Sequence, residues 1–238
     1  MDLWEANSAA NALTPHPCNI TGVYECTGAL CGNGNNKYQS VCDKDGCGYN
    51  PYSMGQHDFY GPNKTVDTNR KFTVVTQFLA SNTTGDLSEI RRVYVQDGRV
   101  IQNAVLTIPN LAPTNSLTDT SCQAAHDVLG GVNAFKTQGG MKQMGDALKR
   151  GMVLALSIWD DAGGYMQWLD STTGSDPTAP GAAHGPCPTS SGRPADIVAN
   201  YPDAAVTWSN IKSGEIGSTF AGATMKTRRY NRPSLRQN

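Results

Sequence analysis

Two carboxylates three positions apart, Asp2 and Glu5, flank an aromatic ring in the opening stretch Met1-Asp2-Leu3-Trp4-Glu5-Ala6-Asn7. An acid pair beside a ring suits the cleavage of glycosidic bonds. One carboxylic acid protonates the leaving oxygen, and a second carboxylate attacks or activates water. Side chains of a regular strand alternate between its faces, so positions 2 and 5 would point opposite ways. A bulge or a turn between them brings both to one side, as strands often do next to active sites. A solvated strand end carries the same pattern, and Asp-x-x-Glu is common by chance. The elements around it must decide.

Those elements read as strands and long loops. Residues 8–62 are rich in Gly, Asn, Pro and Cys without a sustained period, which predicts crosslinked loops. Lys71 to Ala80 is β-branched and aromatic, a strand. Within Ile90–Asn103, Asp97-Gly98 between two apolar runs predicts a hairpin. Residues 104–121 read as polar loop, and Ser121 to Gly130 as a short capped helix. Met141, Met144 and Leu148 recur at helical spacing before the terminator Gly151, and core packing explains them. Met152 to Trp159 is apolar on both parities and predicts a strand buried on both faces. Tyr165–Leu169 and Ala205–Ile211 read as further strands, with a long loop over 171–194. Many short strands, long loops and one or two short helices make an all-β sandwich the expected fold class.

Only 16% of the 238 residues are charged, with a net charge of −1, which gives no electrostatic case for nucleic acid or membrane partners. No run of ~18 apolar residues is present to form a membrane-spanning helix. Seven cysteines, Cys18, Cys26, Cys31, Cys42, Cys47, Cys122 and Cys187, lack zinc-like spacing with partner histidines and predict a disulfide framework in an oxidising compartment. Sequons at Asn19, Asn63 and Asn82 agree with secretion. Asp43-Lys44-Asp45-Gly46 suggests a calcium loop, but Met54 stands where its last carboxylate belongs, so no metal is expected there. No other cofactor is called for.

The motifs taken together resemble glycoside hydrolase family 7, the cellobiohydrolases and endoglucanases acting on cellulose. Asp2-Leu-Trp-Glu-Ala-Asn7, Ala12-Leu-Thr-Pro-His-Pro-Cys18, Asp45-Gly-Cys47 and Asn50-Pro-Tyr52 carry the resemblance. So do Phe59-Tyr-Gly-Pro62, Phe72-Thr-Val-Val-Thr-Gln-Phe78, Gly151-Met-Val-Leu154, Ser157-Ile-Trp-Asp160, Trp168-Leu-Asp-Ser171 and Ser209-Asn-Ile-Lys212. They run in family order over about residues 1–220. The rest, 221–238, is basic and reads as a disordered tail.

The resemblance implies a concanavalin-like β-jelly-roll, of which this chain covers the downstream part. It implies retaining hydrolysis of β-1,4-glucan, with Glu5 as acid/base, Asp2 supporting the nucleophile and His16 lining the leaving-group side. The nucleophile itself, a glutamate, would precede Met1, so the chain alone is expected to be inactive. Trp159 and Trp168 match sugar platforms, with Asp160, Asp161 and Asp170 beside them, and Asp45 matches a product-site carboxylate. Lys37 and His184 stand where cellobiohydrolases usually carry arginines, and a lysine loses the planar fork. The implied disulfides are Cys18–Cys42, Cys26–Cys31 and Cys47–Cys122, with Cys187 unpaired here. The regions Cys18–Cys47 and Ser171–Cys187 are long, which favours a tunnel and release of cellobiose from chain ends by a secreted monomer. Endo-acting cleavage and a non-catalytic, lectin-like glucan binder are the alternatives.

Overall fold

The computed structural model describes residues 1–106, 112–130 and 132–220; the basic tail expected at 221–238 lies outside them. The chain opens with a hairpin of β1 (Asp2–Ala6) and β2 (Asn11–Thr14). Its turn is closed by Asn7, whose Oδ1 accepts the N–H groups of Ala9 and Ala10 at 2.8 and 3.0 Å. A short parallel pair follows, β3 (Tyr60–Gly61) and β4 (Val66–Asp67). The main sheet joins β5 (Thr73–Ala80), β6 (Leu87–Gln96) and β7 (Arg99–Gln102), with β8 (Ser116–Leu117) also pairing with β6, all antiparallel. Asp97 and Gly98 both take positive φ, 50° and 74°, so the β6–β7 turn has the twist that a two-residue hairpin favours.

Among the described residues five α-helical segments accompany the strands, α1 (Asp119–Leu129), α2 (Ala134–Thr137), α3 (Gly140–Arg150), α4 (Gln167–Asp170) and α5 (Pro194–Asn200), with two short 3-10 segments at Gly28–Cys31 and Gly34–Gln39. The two eleven-residue helices, α1 and α3, are those with a sequence signal. Thr118 caps α1 through a reciprocal bond with Ser121, and Gly151 ends α3. The other three are short pieces with no helical period to read, and α4 falls where a strand is expected.

Two apolar clusters form the core. Leu13, Tyr49, Ile90, Leu117, Met141 and Met144 build the first, under α3; Phe59, Tyr60, Val66, Tyr94 and Ala104, with Trp4 and Phe72 against them, build the second. The hairpin β1–β2 contributes to both. Three disulfides are formed, Cys18–Cys42, Cys26–Cys31 and Cys47–Cys122, and Cys187 is free; these are the pairs that the resemblance implies.

Three expected strands are not formed. Met152–Trp159 is irregular and exposed, Val153 at 94% and Ile158 at 63%, not buried on both faces. Ala205–Ile211 is likewise irregular and exposed, and Tyr165–Leu169 is a turn running into α4. A strand exists only where a neighbouring backbone takes up its N–H and C=O groups, and no described segment pairs with these stretches. Among the described residues no helix is long and apolar enough to cross a membrane.

Candidate active site

In the β1–β2 ladder Asp2 pairs with Thr14 and Glu5 with Ala12, so Leu3 and Trp4 together face only Leu13. That is a β-bulge, and it interrupts the alternation that would separate the two carboxylates. Trp4 does not join them. Its ring, half-buried, meets Tyr60, Phe72 and Tyr94 edge-on, with centroids 5.7–6.0 Å apart, and packs against the second core cluster. The expectation of both acids and this ring on one surface therefore fails, because the aromatic cluster offers Trp4 a buried partner set.

Glu5 is half-buried. Desolvation pushes its carboxyl above the usual range, and the negative charge of Asp2 pushes the same way. Asp2 is shifted down, chiefly by the hydrogen bond from His16, whose Nε2 lies 2.7 Å from Asp2 Oδ2. His16 Nδ1–H donates to the Asp43 carbonyl at 2.9 Å. A carbonyl only accepts, so Nδ1 carries a proton and Nε2 is left to face the carboxylate. Burial opposes the imidazolium, but the bond and charge of Asp2 and the Asp43 carbonyl outweigh it, and the His16 pKa is raised. One carboxyl thus tends to hold its proton while its neighbour gives it up, the division that acid/base chemistry on a sugar bond requires.

The loop behind His16 is built to seat the ring. Cys42 and Cys47, each disulfide-bonded, bracket Asp43–Gly46. Gly46 has φ +70°, and a Cβ there would stand 2.8 Å from the His16 ring. Asp43 is buried, its Oδ1 accepts the Asp45 N–H at 3.2 Å, and burial raises its pKa. Sequence reasoning weighed Asp43 only as a metal ligand; its backbone contact with His16, 27 positions away, has no local signal. On the same loop Asp45 pairs with Lys37 at 2.7 Å, both half-exposed. No group of three or more His, Cys, Asp or Glu among the described residues could hold a metal ion.

The far end of β1 meets a second group. Asn7 Nδ2 donates to Asp170 Oδ2 at 2.6 Å, a link across 163 positions that the sequence does not announce. Asp170 lies on α4, which also carries Trp168. The Trp168 ring stacks with Trp159 at 6.0 Å and 25°, and its Nε1–H donates to Asp161 at 3.2 Å. Trp159 is 55% exposed and Asp160 is exposed, a face that a flat sugar ring can cover. His184 Nε2 lies 3.2 Å from Thr173 Oγ1, and its backbone carbonyl accepts from Asn50 Nδ2 at 2.9 Å. Burial lowers the His184 pKa, so the ring is neutral at pH 7 and does not replace an arginine's charge. Cys187 lies by Asp170; burial, first, and that carboxylate push its thiol up to about 11.

The structure thus groups Asp2, Glu5 and His16, with Asp45 on the loop behind them and Lys37 paired to it. Trp159 and Trp168 form a separate pair reached through Asp170 and Asn7.

The family model described as glycosyl hydrolase family 7 matches residues 1–220. The chain is 50% identical over 220 residues to an exoglucanase of Limnoria quadripunctata, covering 92% of this chain and 49% of that protein. It is 51% identical over 222 residues to an endo-beta-1,4-glucanase of Aspergillus oryzae, covering 92% and 48%. The crystal structure of a cellobiohydrolase from Daphnia pulex superposes with a TM-score of 0.79 at 43% identity, covering 83% of this chain and 46% of that one. The chain spans about half the length of the curated relatives it matches. Its strands and crosslinked loops form part of the β-jelly-roll of these structures.

Proposed function

The chain belongs to glycosyl hydrolase family 7, and on that premise we propose that it is the downstream part of a retaining cellulase. The observation that carries the reading is Glu5 on a bulged strand, half-buried with a raised pKa, beside an Asp2 held ionised by His16. Glu5 protonates the departing glycosidic oxygen and then, as carboxylate, takes a proton from the water that releases the glycosyl intermediate. Asp2 hydrogen-bonds the nucleophile, which in the family's pattern falls one position before Met1. His16 orients Asp2 on the leaving-group side. Trp159 and Trp168 pack on sugar faces; Asp45, Lys37 and His184 line the product end.

Residues 1–220 serve as one catalytic unit with the segment that its relatives carry upstream. The substrate is a cellulose or other β-1,4-glucan chain. The long loops over Cys18–Cys47, which is crosslinked, and Ser171–Cys187, which is not, favour a covered groove, chain-end attack and release of cellobiose by a monomer. Three disulfides and exposed Asn19, Asn63 and Asn82 support a secreted glycoprotein. Endo-action is the second reading, favoured by the likeness to an endoglucanase at 51% identity. The deciding experiment joins this chain to a relative's upstream half and follows soluble cellulose. A fast fall in viscosity with few new reducing ends selects endo-action, cellobiose release selects exo-action, and neither product rejects the cellulase.

A further inference from the structure

Arg92 is a buried cation that the catalytic reading leaves unused. It is 2% exposed, in the middle of β6, where Ile90, Arg92, Tyr94 and Gln96 are all buried. Ile90 belongs to the first apolar cluster and Tyr94 to the second, so Arg92 falls between them in register. Its Nη2 donates to the carbonyl of Leu3, and its guanidinium lies over the Trp4 ring, 5.1 Å from the centroid. Leu3 and Trp4 are the two residues set against the single Leu13, and they alone separate Asp2 from Glu5. Nε and Nη1 make no well-formed hydrogen bond among the described residues, although the Tyr94 hydroxyl lies near the guanidinium.

Core stability does not call for this arrangement, since a buried, half-satisfied cation is often no better than an apolar side chain of its volume. A planar guanidinium does what an apolar chain cannot, and what lysine does poorly: it grips a carbonyl and a ring face at once. We propose that Arg92 is a positioning residue, fixing the bulge that turns Asp2 and Glu5 to one side by holding the two residues between them. The proposal rests on the acid/base reading of Glu5 and goes beyond it by naming what sets the geometry.

The test uses the intact enzyme, this chain joined to the upstream half of a relative, with Arg92→Lys and Arg92→Met. Thermal midpoints are recorded with kcat, KM, the pH profile on an aryl cellobioside, and the NMR titration of the His16 ring. In this chain the charged groups facing Glu5 are Asp2, His16 and the α-amino group of Met1, and those facing His16 are Asp2, Glu5, Asp43 and the same α-amino group, which becomes a neutral peptide bond once the upstream half is joined. If the bulge relaxes, Asp2 leaves both neighbours. The His16 titration then falls toward its ordinary value, and the basic limb of the pH profile moves to lower pH. A displacement of an ångström costs about 100-fold, so kcat should fall roughly 10- to 100-fold while KM changes little. Arg92→Lys, which keeps the charge, should show the same shifts with a midpoint near the parent's. A folded variant whose midpoint drops while kcat, pH profile and His16 titration stay parental overturns the proposal. If Arg92→Met does not fold, the lysine variant decides. If the parent enzyme cleaves nothing, the cellulase reading fails, and an unchanged His16 titration still overturns the role of Arg92.

Discussion

His16 and Asp2 form an ion pair at 2.7 Å that is oriented from behind, because the other ring nitrogen of His16 donates to the Asp43 carbonyl. The ion pair requires a proton on Nε2 as well, so the ring is an imidazolium held in one direction. Asp2 is thereby kept as a carboxylate beside Glu5, and its charge helps Glu5 to keep a proton. The two acids of β1 are made unequal by a residue from the chain just after β2.

This pair predicts a stability window. His16 has a raised pKa, so its contribution is complete below the ordinary value, 6.5, and is lost as pH rises through the folded one. Asp2 has a lowered pKa, so its contribution is present above 3.8 and is lost as pH falls through the folded value. The midpoint difference between the parent and His16→Asn should be largest between these limits and shrink on both sides. Because the Asp2 side chain is 42% exposed, salt should narrow it. A difference that is flat from pH 3 to 9 would sink the ion-pair account.

Glu5 predicts the opposite sign. Its folded pKa is raised, so its contribution to stability is complete below the ordinary value, 4.5, and is lost as pH rises through the folded one, where the carboxylate must form in a half-buried place. Glu5→Gln should therefore raise the thermal midpoint at pH 7 and leave it nearly unchanged at pH 4. A midpoint that falls at pH 7 would mean that ionised Glu5 is favourably bound, which contradicts its assignment as the acid.

The bulge between Asp2 and Glu5 was legible in the sequence because period-two alternation cannot serve two acids at an odd spacing. The hairpin at Asp97-Gly98 and the helix carrying Met141 and Met144 were legible for the same kind of reason: the signal is local. What could not be read is non-local. Trp4 looks like a groove residue until Tyr60, Phe72 and Tyr94 are seen around it. The Asn7–Asp170 bond and the Arg92–Leu3 bond join positions 163 and 89 apart. Met152–Trp159 has the composition of a buried strand, but composition supplies no neighbour, and the segment has none among the described residues.

The disulfides should differ in worth. Cys47–Cys122 closes a separation of 75 residues and both cysteines are buried, whereas Cys26–Cys31 closes only 5. Loop-closure entropy gives about 4 kcal/mol for the first and about 2 kcal/mol for the second. Replacing Cys47 and Cys122 by serine should lower stability clearly more than replacing Cys26 and Cys31. Cys47 also ends the loop that seats His16, so the first change should lower activity as well. Chemical denaturation of both double variants checks the order, and equal losses would show that loop length does not govern.

The roles of the two acids separate most cleanly by chemical rescue, in the enzyme completed with a relative's upstream half. Glu5→Gln keeps size and hydrogen bonding but cannot transfer a proton. General acid/base catalysis contributes about 10²–10⁴ in rate, so hydrolysis of cellulose should fall by roughly that factor. An aryl cellobioside with a good leaving group needs little protonation, so its first step should be less affected. The second step still lacks its base, and the trapped glycosyl-enzyme should appear as a burst. Azide needs no base to attack the intermediate and should restore turnover, giving a glycosyl azide of retained configuration. Asp2→Asn removes the partner of His16 and the carboxylate next to the nucleophile instead. Activated and natural substrates should then slow alike, and azide should do nothing. Rescue of the Asp2 variant by azide, without rescue of the Glu5 variant, would reverse the assignment of the two carboxylates.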